Sequence, residues 1–220
     1  MIEIYSVVIF DLDGTLLDTS SGVVKATDYI VEKFQLPVLN EKQKQSFIGP
    51  PVQTSFKTYY NCSEERAWEL ATAWRNAYKD MFLYEAVAYE GIYELLEYLR
   101  ECGIKTGVAT NKREDYAKTL LEYFSFSPLF DCVIGSDFEG KRTKSDIIRL
   151  CMHQCGVENP KCCLMIGDTM LDFIAAQKVG TDFLGVIFGF GFKPFEANEG
   201  IITVNSFNQI KFLIENLIKK

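Results

Sequence analysis

The apolar positions of the chain fall into three successive patterns of spacing. Val7 to Phe10 are apolar without interruption, the pattern of a strand buried on both faces. The run stops abruptly at Asp11-Leu12-Asp13-Gly14. From Leu17 to Tyr84 apolar residues recur at helical spacing over Gly22–Phe34, Glu41–Phe47, Val52–Tyr60 and Glu64–Leu83, and no strand-like run appears. Asn40 and Gln43 form a capping pair ahead of the second helix. Leu36-Pro37 and Gly49-Pro50-Pro51 punctuate the segment, because proline cannot continue a helix. After Tyr84 strands and helices alternate. Strands are expected at Ile104–Ala109, Cys132–Ile134, Cys162–Ile166 and Phe183–Ile187. Helices are expected at Gly91–Glu101, Lys112–Phe124, Ser145–Cys155 and Met170–Lys178. A short apolar segment, Ile201–Val204, precedes a last helix at Phe207–Ile218.

Such alternation predicts an α/β fold, a doubly wound parallel sheet with right-handed crossovers. Residues 1–16 and 85–220 form this core, and residues 17–84 are an inserted all-helical domain that begins directly after the acidic turn.

In a sheet of this kind ligands bind beyond the carboxyl ends of the strands. The first strand delivers Asp11 and Asp13 there. Residues two apart on a strand point the same way, so their carboxylates are expected to crowd together and to call for a divalent cation. Ile104–Ala109 is followed by Thr110-Asn111-Lys112. Lys144 stands in Thr143-Lys144-Ser145-Asp146, and Cys162–Ile166 leads into Gly167-Asp168-Thr169-Met170-Leu171-Asp172. Each piece alone could be a helix cap, a turn or a solvated charge. Together at one sheet edge they describe a site for an anion and a metal.

Composition narrows the classes. A net charge of −7 argues against a nucleic-acid polymer as partner, while a small anion remains compatible with a local cationic site. No apolar run approaches bilayer length and residues 1–10 lack the features of a signal peptide. The chain thus reads as cytoplasmic, without a membrane partner, and as a monomer or small homo-oligomer. Seven cysteines, several in apolar segments, read as buried free thiols. Cys151, His153 and Cys155 invite a metal reading, but no second cysteine pair stands at zinc-like spacing and the stripe is apolar. These cysteines are assigned to packing.

The four acidic and polar motifs, in this order and with a helical insert after the first, resemble the haloacid dehalogenase superfamily of phosphotransferases along the whole chain. Within it the sequence is similar to the phosphoglycolate phosphatase subgroup, a likeness that Gly49-Pro50-Pro51 strengthens. The resemblance implies a phosphatase of small phosphorylated metabolites that requires Mg²⁺. It makes Asp11 the nucleophile that forms an aspartyl phosphate and Asp13 the acid and base. Asp11, Asp168 and the Asp13 backbone carbonyl would hold the metal. Thr110, the Asn111 backbone N–H and Lys144 would bind phosphoryl oxygens, and Asp172 would orient Lys144 or metal-bound water. Gly49, Pro50 and Pro51 would meet the leaving group. Phe47, Phe56, Tyr59 and Tyr60 are read as the insert's own core rather than a stacking platform. Within the superfamily a 5′-nucleotidase and a β-phosphoglucomutase-like phosphotransferase are the alternatives. Asp13 argues against a dehalogenase, and a Schiff-base phosphonatase would need one of Lys25, Lys33, Lys42, Lys44 or Lys57. A silent regulator on the same fold is expected to have lost a key residue, and none is missing.

Overall fold

The computed structural model describes residues 5–193 and 200–218; residues 1–4, 194–199 and 219–220 of the expected core domain lie outside the described residues. The chain divides into two compact units, residues 1–17 with 88–220 and residues 18–87.

The first unit is built on β1 (Val7–Phe10). All four of its side chains are fully buried, each contributing about 1.5–3 kcal/mol of hydrophobic stabilisation. The chain leaves this unit through β2 (Leu17–Asp18). The helical unit holds α1 (Ser20–Lys33), α2 (Glu41–Gln45), α3 (Val52–Tyr60) and α4 (Glu64–Ala77), and the chain returns through β3 (Val87–Ala88). Then come α5 (Ile92–Glu101), β4 (Lys105–Arg113), α6 (Glu114–Tyr123), β5 (Cys132–Ser136), α7 (Lys144–Gln154), β6 (Cys163–Gly167), α8 (Met170–Val179), β7 (Asp182–Val186), β8 (Thr203–Val204) and α9 (Phe207–Ile218).

The sheet order is β5-β4-β1-β6-β7-β8, and the ladders are parallel. The chain winds outward from β1 to β4 and β5, then crosses back to β6 on the other side of β1. The winding direction therefore reverses beside β1, which is where parallel sheets of this type open a crevice. Both faces are covered. Val7 and Ile9 pack with Ile147, Ile148 and Cys151 of α7 and with Ala175 and Ala176 of α8, whereas the Phe10 ring meets Phe130 edge-on.

Several boundaries depart from the sequence reading. β4 does not stop at Ala109 but continues to Arg113 through an irregularity, because Arg113 pairs with Ser136 of β5. Thr110-Asn111-Lys112 therefore lies on a kinked strand end and not on a helix start. The helix expected over Glu64–Leu83 ends as α4 at Ala77 and continues as a π turn, Tyr78–Phe82. The chain crosses back after Val87 rather than after Tyr84. Glu85 stays with the helical unit because its N–H donates to the Phe82 carbonyl while its own carbonyl accepts from Gly22 N–H.

Within the helical unit the aromatics serve packing. Phe47 and Phe56 are buried and meet edge-on with ring centroids 5.0 Å apart. Tyr59 stacks on Phe47 and Tyr60 on Phe56. The two phenols hydrogen bond within the unit, to Ser46 Oγ and to the Pro37 carbonyl. Trp74 Nε1 donates to Thr27 Oγ1 at 3.1 Å. Asn40 and Gln43 form the expected capping box of α2, and Pro51 is the residue before α3.

Candidate active site

The site occupies the carboxyl edge of β1, β4 and β6. Asp11 follows β1 directly, and its N–H donates to the Ile166 carbonyl of β6 at 2.9 Å, so the backbone that carries it is anchored to the neighbouring strand. The chain then folds back tightly. The N–H groups of Leu16 and Leu17 both reach the Leu12 carbonyl, and Gly14 N–H donates to Leu17 O. Gly14 adopts φ +83°, and a Cβ there would collide with the Asp168 carboxylate and the Phe190 ring. Only glycine meets both demands.

Asp11, Asp168 and Asp172 each present a carboxylate oxygen within 4.8 Å of the others, all buried. Asp13 does not share that cluster in the way strand alternation suggested. β1 ends at Phe10, so the two aspartates sit in a turn, and each takes its own lysine. Lys144 Nζ lies 2.5 Å from Asp11 Oδ1 and 2.7 Å from Asp172 Oδ1. Lys112 Nζ lies 2.9 Å from Asp13 Oδ1. Lys144 is the first residue of α7, whose start is fixed by the Thr143–Asp146 capping box. Asp172 divides its oxygens. Oδ2 accepts from Thr169 N–H and Oγ1 as the capping box of α8, while Oδ1 holds Lys144. A helix cap thus fixes the orientation of the lysine's partner.

Thr110 is buried at the irregular end of β4, and its Oγ1 accepts from Lys112 N–H at 3.1 Å. Asn111 beside it is half-buried. Gly49, Pro50 and Pro51 belong to the helical unit, in the turn between α2 and α3, with Gly49 at φ +97° and open space where its Cβ would be.

Burial is the largest influence on the Asp11 and Asp168 carboxyls. It pushes Asp11 up to about 7 against the pull of Lys144. It also holds Asp168 well above the ordinary carboxylate range, aided by the charges of Asp11 and Asp172. Burial alone would lower Lys144, but Asp11 and Asp172 raise it, so the ammonium persists.

Asp168 carries the sharpest indication of a missing partner. Its Oδ2 accepts from Phe190 N–H at 2.7 Å, while its Oδ1 is buried with no hydrogen-bond partner. A buried carboxylate oxygen left without a donor is costly. An all-oxygen set of acidic side chains around it fits a hard cation such as Mg²⁺.

Two contributors went unassigned in the sequence. Lys112 was visible only as the residue after Thr110-Asn111. The other is the loop after β7, Phe188-Gly189-Phe190-Gly191-Phe192, whose Phe190 and Phe192 N–H groups bind Asp168 Oδ2 and O. Its alternating glycines were the available signal, since a Cβ on Gly189 would overlap Asp168.

Residues 8–186 match the model of the haloacid dehalogenase-like hydrolase family. A 5′-nucleotidase from Pseudomonas aeruginosa is 35% identical over 188 residues, 85% of each chain. The crystal structure of a predicted phosphatase from Clostridium acetobutylicum superimposes with a TM-score of 0.88 at 36% identity, covering 99% of this chain and 100% of that one. A structure from Lactobacillus delbrueckii, described as a candidate phosphoglycolate phosphatase, shares the fold, with a TM-score of 0.83 at 24% identity over 96% of this chain and 98% of that one. With the four motifs gathered at one sheet edge and a match along most of its length, the chain belongs to the haloacid dehalogenase-like hydrolase family and is a hydrolytic enzyme.

Proposed function

We propose that this hydrolase is a Mg²⁺-dependent phosphatase of small phosphomonoesters in which Asp11 carries the phosphoryl group between two displacements. The observation that carries the reading is the buried, partnerless Oδ1 of Asp168 beside the Asp11 and Asp172 carboxylates. Asp11, Asp168 and the Asp13 backbone carbonyl would hold the ion. Bound there, Mg²⁺ supplies the positive charge that lets a carboxylate approach an anionic phosphoryl group.

The protein's own residues account for the other tasks. Lys144 holds one oxygen of Asp11 and so fixes the direction of the nucleophile at the end of β1. Asp11 forms a bond to phosphorus while the leaving oxygen departs with a proton from Asp13. Asp13 then takes a proton from the water that attacks the acyl phosphate and restores Asp11. Lys112, paired with Asp13, positions that carboxyl. Thr110 Oγ1, the Asn111 N–H and the Lys144 ammonium bind phosphoryl oxygens as charge redistributes among them. Asp172 orients Lys144 through their 2.7 Å contact.

The named relatives support testing the substrate classes in a different order. The phosphoglycolate phosphatase likeness stands at an identity that speaks for fold alone, whereas the relative at 35% identity is named a 5′-nucleotidase. A nucleoside 5′-monophosphate is accordingly the first substrate to test and phosphoglycolate the second. β-Glucose 1-phosphate serves as the probe for mutase-like transfer. Gly49-Pro50-Pro51 is our choice for the segment that meets the leaving group. A panel of these esters, with pyrophosphate and an aryl phosphate, should release phosphate with Mg²⁺ and lose that activity in EDTA. Failure of every ester with Mg²⁺, by correctly folded protein, would overturn the reading.

A further inference from the structure

At the other end of α7, away from the active site, three thiols meet. Cys132 opens β5, Cys151 lies on α7, and Cys155 caps its end. Cys132 Sγ is 2.9 Å from Cys151 Sγ and 3.0 Å from Cys155 Sγ. Cys132 is the shared neighbour, reaching from a strand to two turns of one helix. All three are buried in an apolar cluster with Val7, Ile9, Ile147 and Met165. His153, the chain's single histidine, is exposed and stands apart from them.

Their surroundings are not uniform. A cleft of about 540 Å³ opens at this end of the unit, and Cys155 lines it together with Tyr5, Lys105, Glu158 and Cys162. Cys132 and Cys151 do not. Lys105 Nζ donates to the Cys155 carbonyl at 2.8 Å, which holds an ammonium at this residue. Hydrogen bonds from the Cys132 and Cys151 thiols, with Lys105 adding to them, hold Cys155 well below the usual thiol range against the opposing effect of burial. Of the three clustered cysteines Cys155 alone lines the cleft, and its environment favours the thiolate, the reactive form.

We propose that Cys155 and Cys132 form an oxidation site, in which a hydroperoxide converts the dithiol to a Cys132–Cys155 disulfide. The Cys155 thiolate attacks the peroxide O–O bond. Its sulfur is oxidised to the sulfenic acid, and the departing oxygen takes up the proton lost by the thiol and leaves as water or alcohol. The Cys132 thiol then attacks that sulfur, the S–O bond breaks, and the oxygen leaves as water with the Cys132 proton. Two thiols and one hydroperoxide thus give one disulfide and two hydroxylic products.

Geometry and charge favour this outcome over metal binding. Three thiolates around a soft ion, with metal–sulfur bonds of about 2.3 Å, would have to spread to about 4 Å apart. They would also leave net negative charge in an apolar core, whereas a disulfide is neutral. Closing the Cys132–Cys155 gap from 3.0 Å to a bond requires a shift of about 1 Å. A residue at a helix end, followed by Gly156 at φ +71°, yields such a shift more readily than Cys151 within the helix.

The test treats the full chain, reduced and freed of reductant, with hydrogen peroxide and maps the products by mass spectrometry without reduction. The expected result is the loss of two hydrogens, a peptide link between Cys132 and Cys155, and a rise of about 5 °C or more in the unfolding midpoint, reversed by dithiothreitol. Cys132→Ser and Cys155→Ser should each abolish the link, and Cys151→Ser should retain it. Alanine at the same positions repeats the comparison if a serine variant fails to fold. A link through other cysteines would overturn the proposal. So would stable sulfinic acid at Cys155 with Cys132 untouched, or one equivalent of a soft metal that co-purifies and is lost in Cys155→Ala.

Discussion

Lys112 Nζ lies 2.9 Å from Asp13 Oδ1, with both side chains about nine-tenths buried. Removing one member of a buried pair strands the other charge, which costs about 3–5 kcal/mol. Lys112→Ala should therefore destabilise the fold by roughly that amount and also slow turnover, because Asp13 loses its positioning contact. Denaturant unfolding of Lys112→Ala, Asp13→Asn and the double variant provides the check. The double variant should lose less stability than the sum of the singles. Strict additivity would mean that the two side chains act independently.

Asp11→Asn keeps the shape of the nucleophile and removes its attacking charge. We predict a fall in kcat of at least about 10³-fold with the fold intact, measured with whichever ester proves best. Lys144→Ala should raise KM and lower kcat together, because the ammonium contacts the phosphate before and during transfer. An unchanged KM would remove Lys144 from ground-state binding.

Stability and function pull apart at Asp168. Without a cation its carboxylate is buried among like charges with Oδ1 unpartnered. Asp168→Asn retains an acceptor for Phe190 N–H and removes that repulsion. It should raise the unfolding midpoint in EDTA by several degrees while abolishing Mg²⁺-dependent activity. A lower midpoint would show that the acidic cluster is internally satisfied without an ion.

The pH dependence of metal binding has a definite sign. Asp11, raised to about 7, and Asp168, also raised, take up protons more readily than ordinary carboxylates in the metal-free protein, whereas ligation requires the ionised form. Mg²⁺ affinity should weaken as pH falls below about 7, by about tenfold per pH unit for each proton displaced. Titration calorimetry in buffers of different ionisation enthalpy should detect proton release on binding. The same affinity at about pH 6 and pH 8 would contradict the raised values.

Much of this was legible in the chain. The apolar run Val7–Phe10 ending in Asp11 specified the central strand and its acidic edge, and the helix caps at Thr143 and Thr169 lay within the motifs they support. What escaped depended on register and tertiary neighbours. Asp13 finds Lys112 because β1 and β4 lie side by side, which no local spacing reveals. Polar Thr110-Asn111-Lys112-Arg113 reads as a helix start until Arg113 is seen to pair with Ser136. Cys132 joins Cys151 and Cys155 from a strand distant in sequence, so the cysteine spacing along the helix reads only as packing. The Phe188–Phe192 loop binds Asp168 through backbone N–H groups, which carry no side-chain signature beyond the glycines that permit the close approach.

The central claim is that the phosphoryl group passes through a covalent bond to the enzyme. The most direct measurement uses a phosphorothioate ester made chiral at phosphorus by sulfur and two oxygen isotopes, turned over in water carrying the third isotope to inorganic thiophosphate whose configuration is then read. Two in-line displacements, first by Asp11 and then by water, predict retention. Inversion would mean that water attacks the substrate directly and that Asp11 is not the nucleophile.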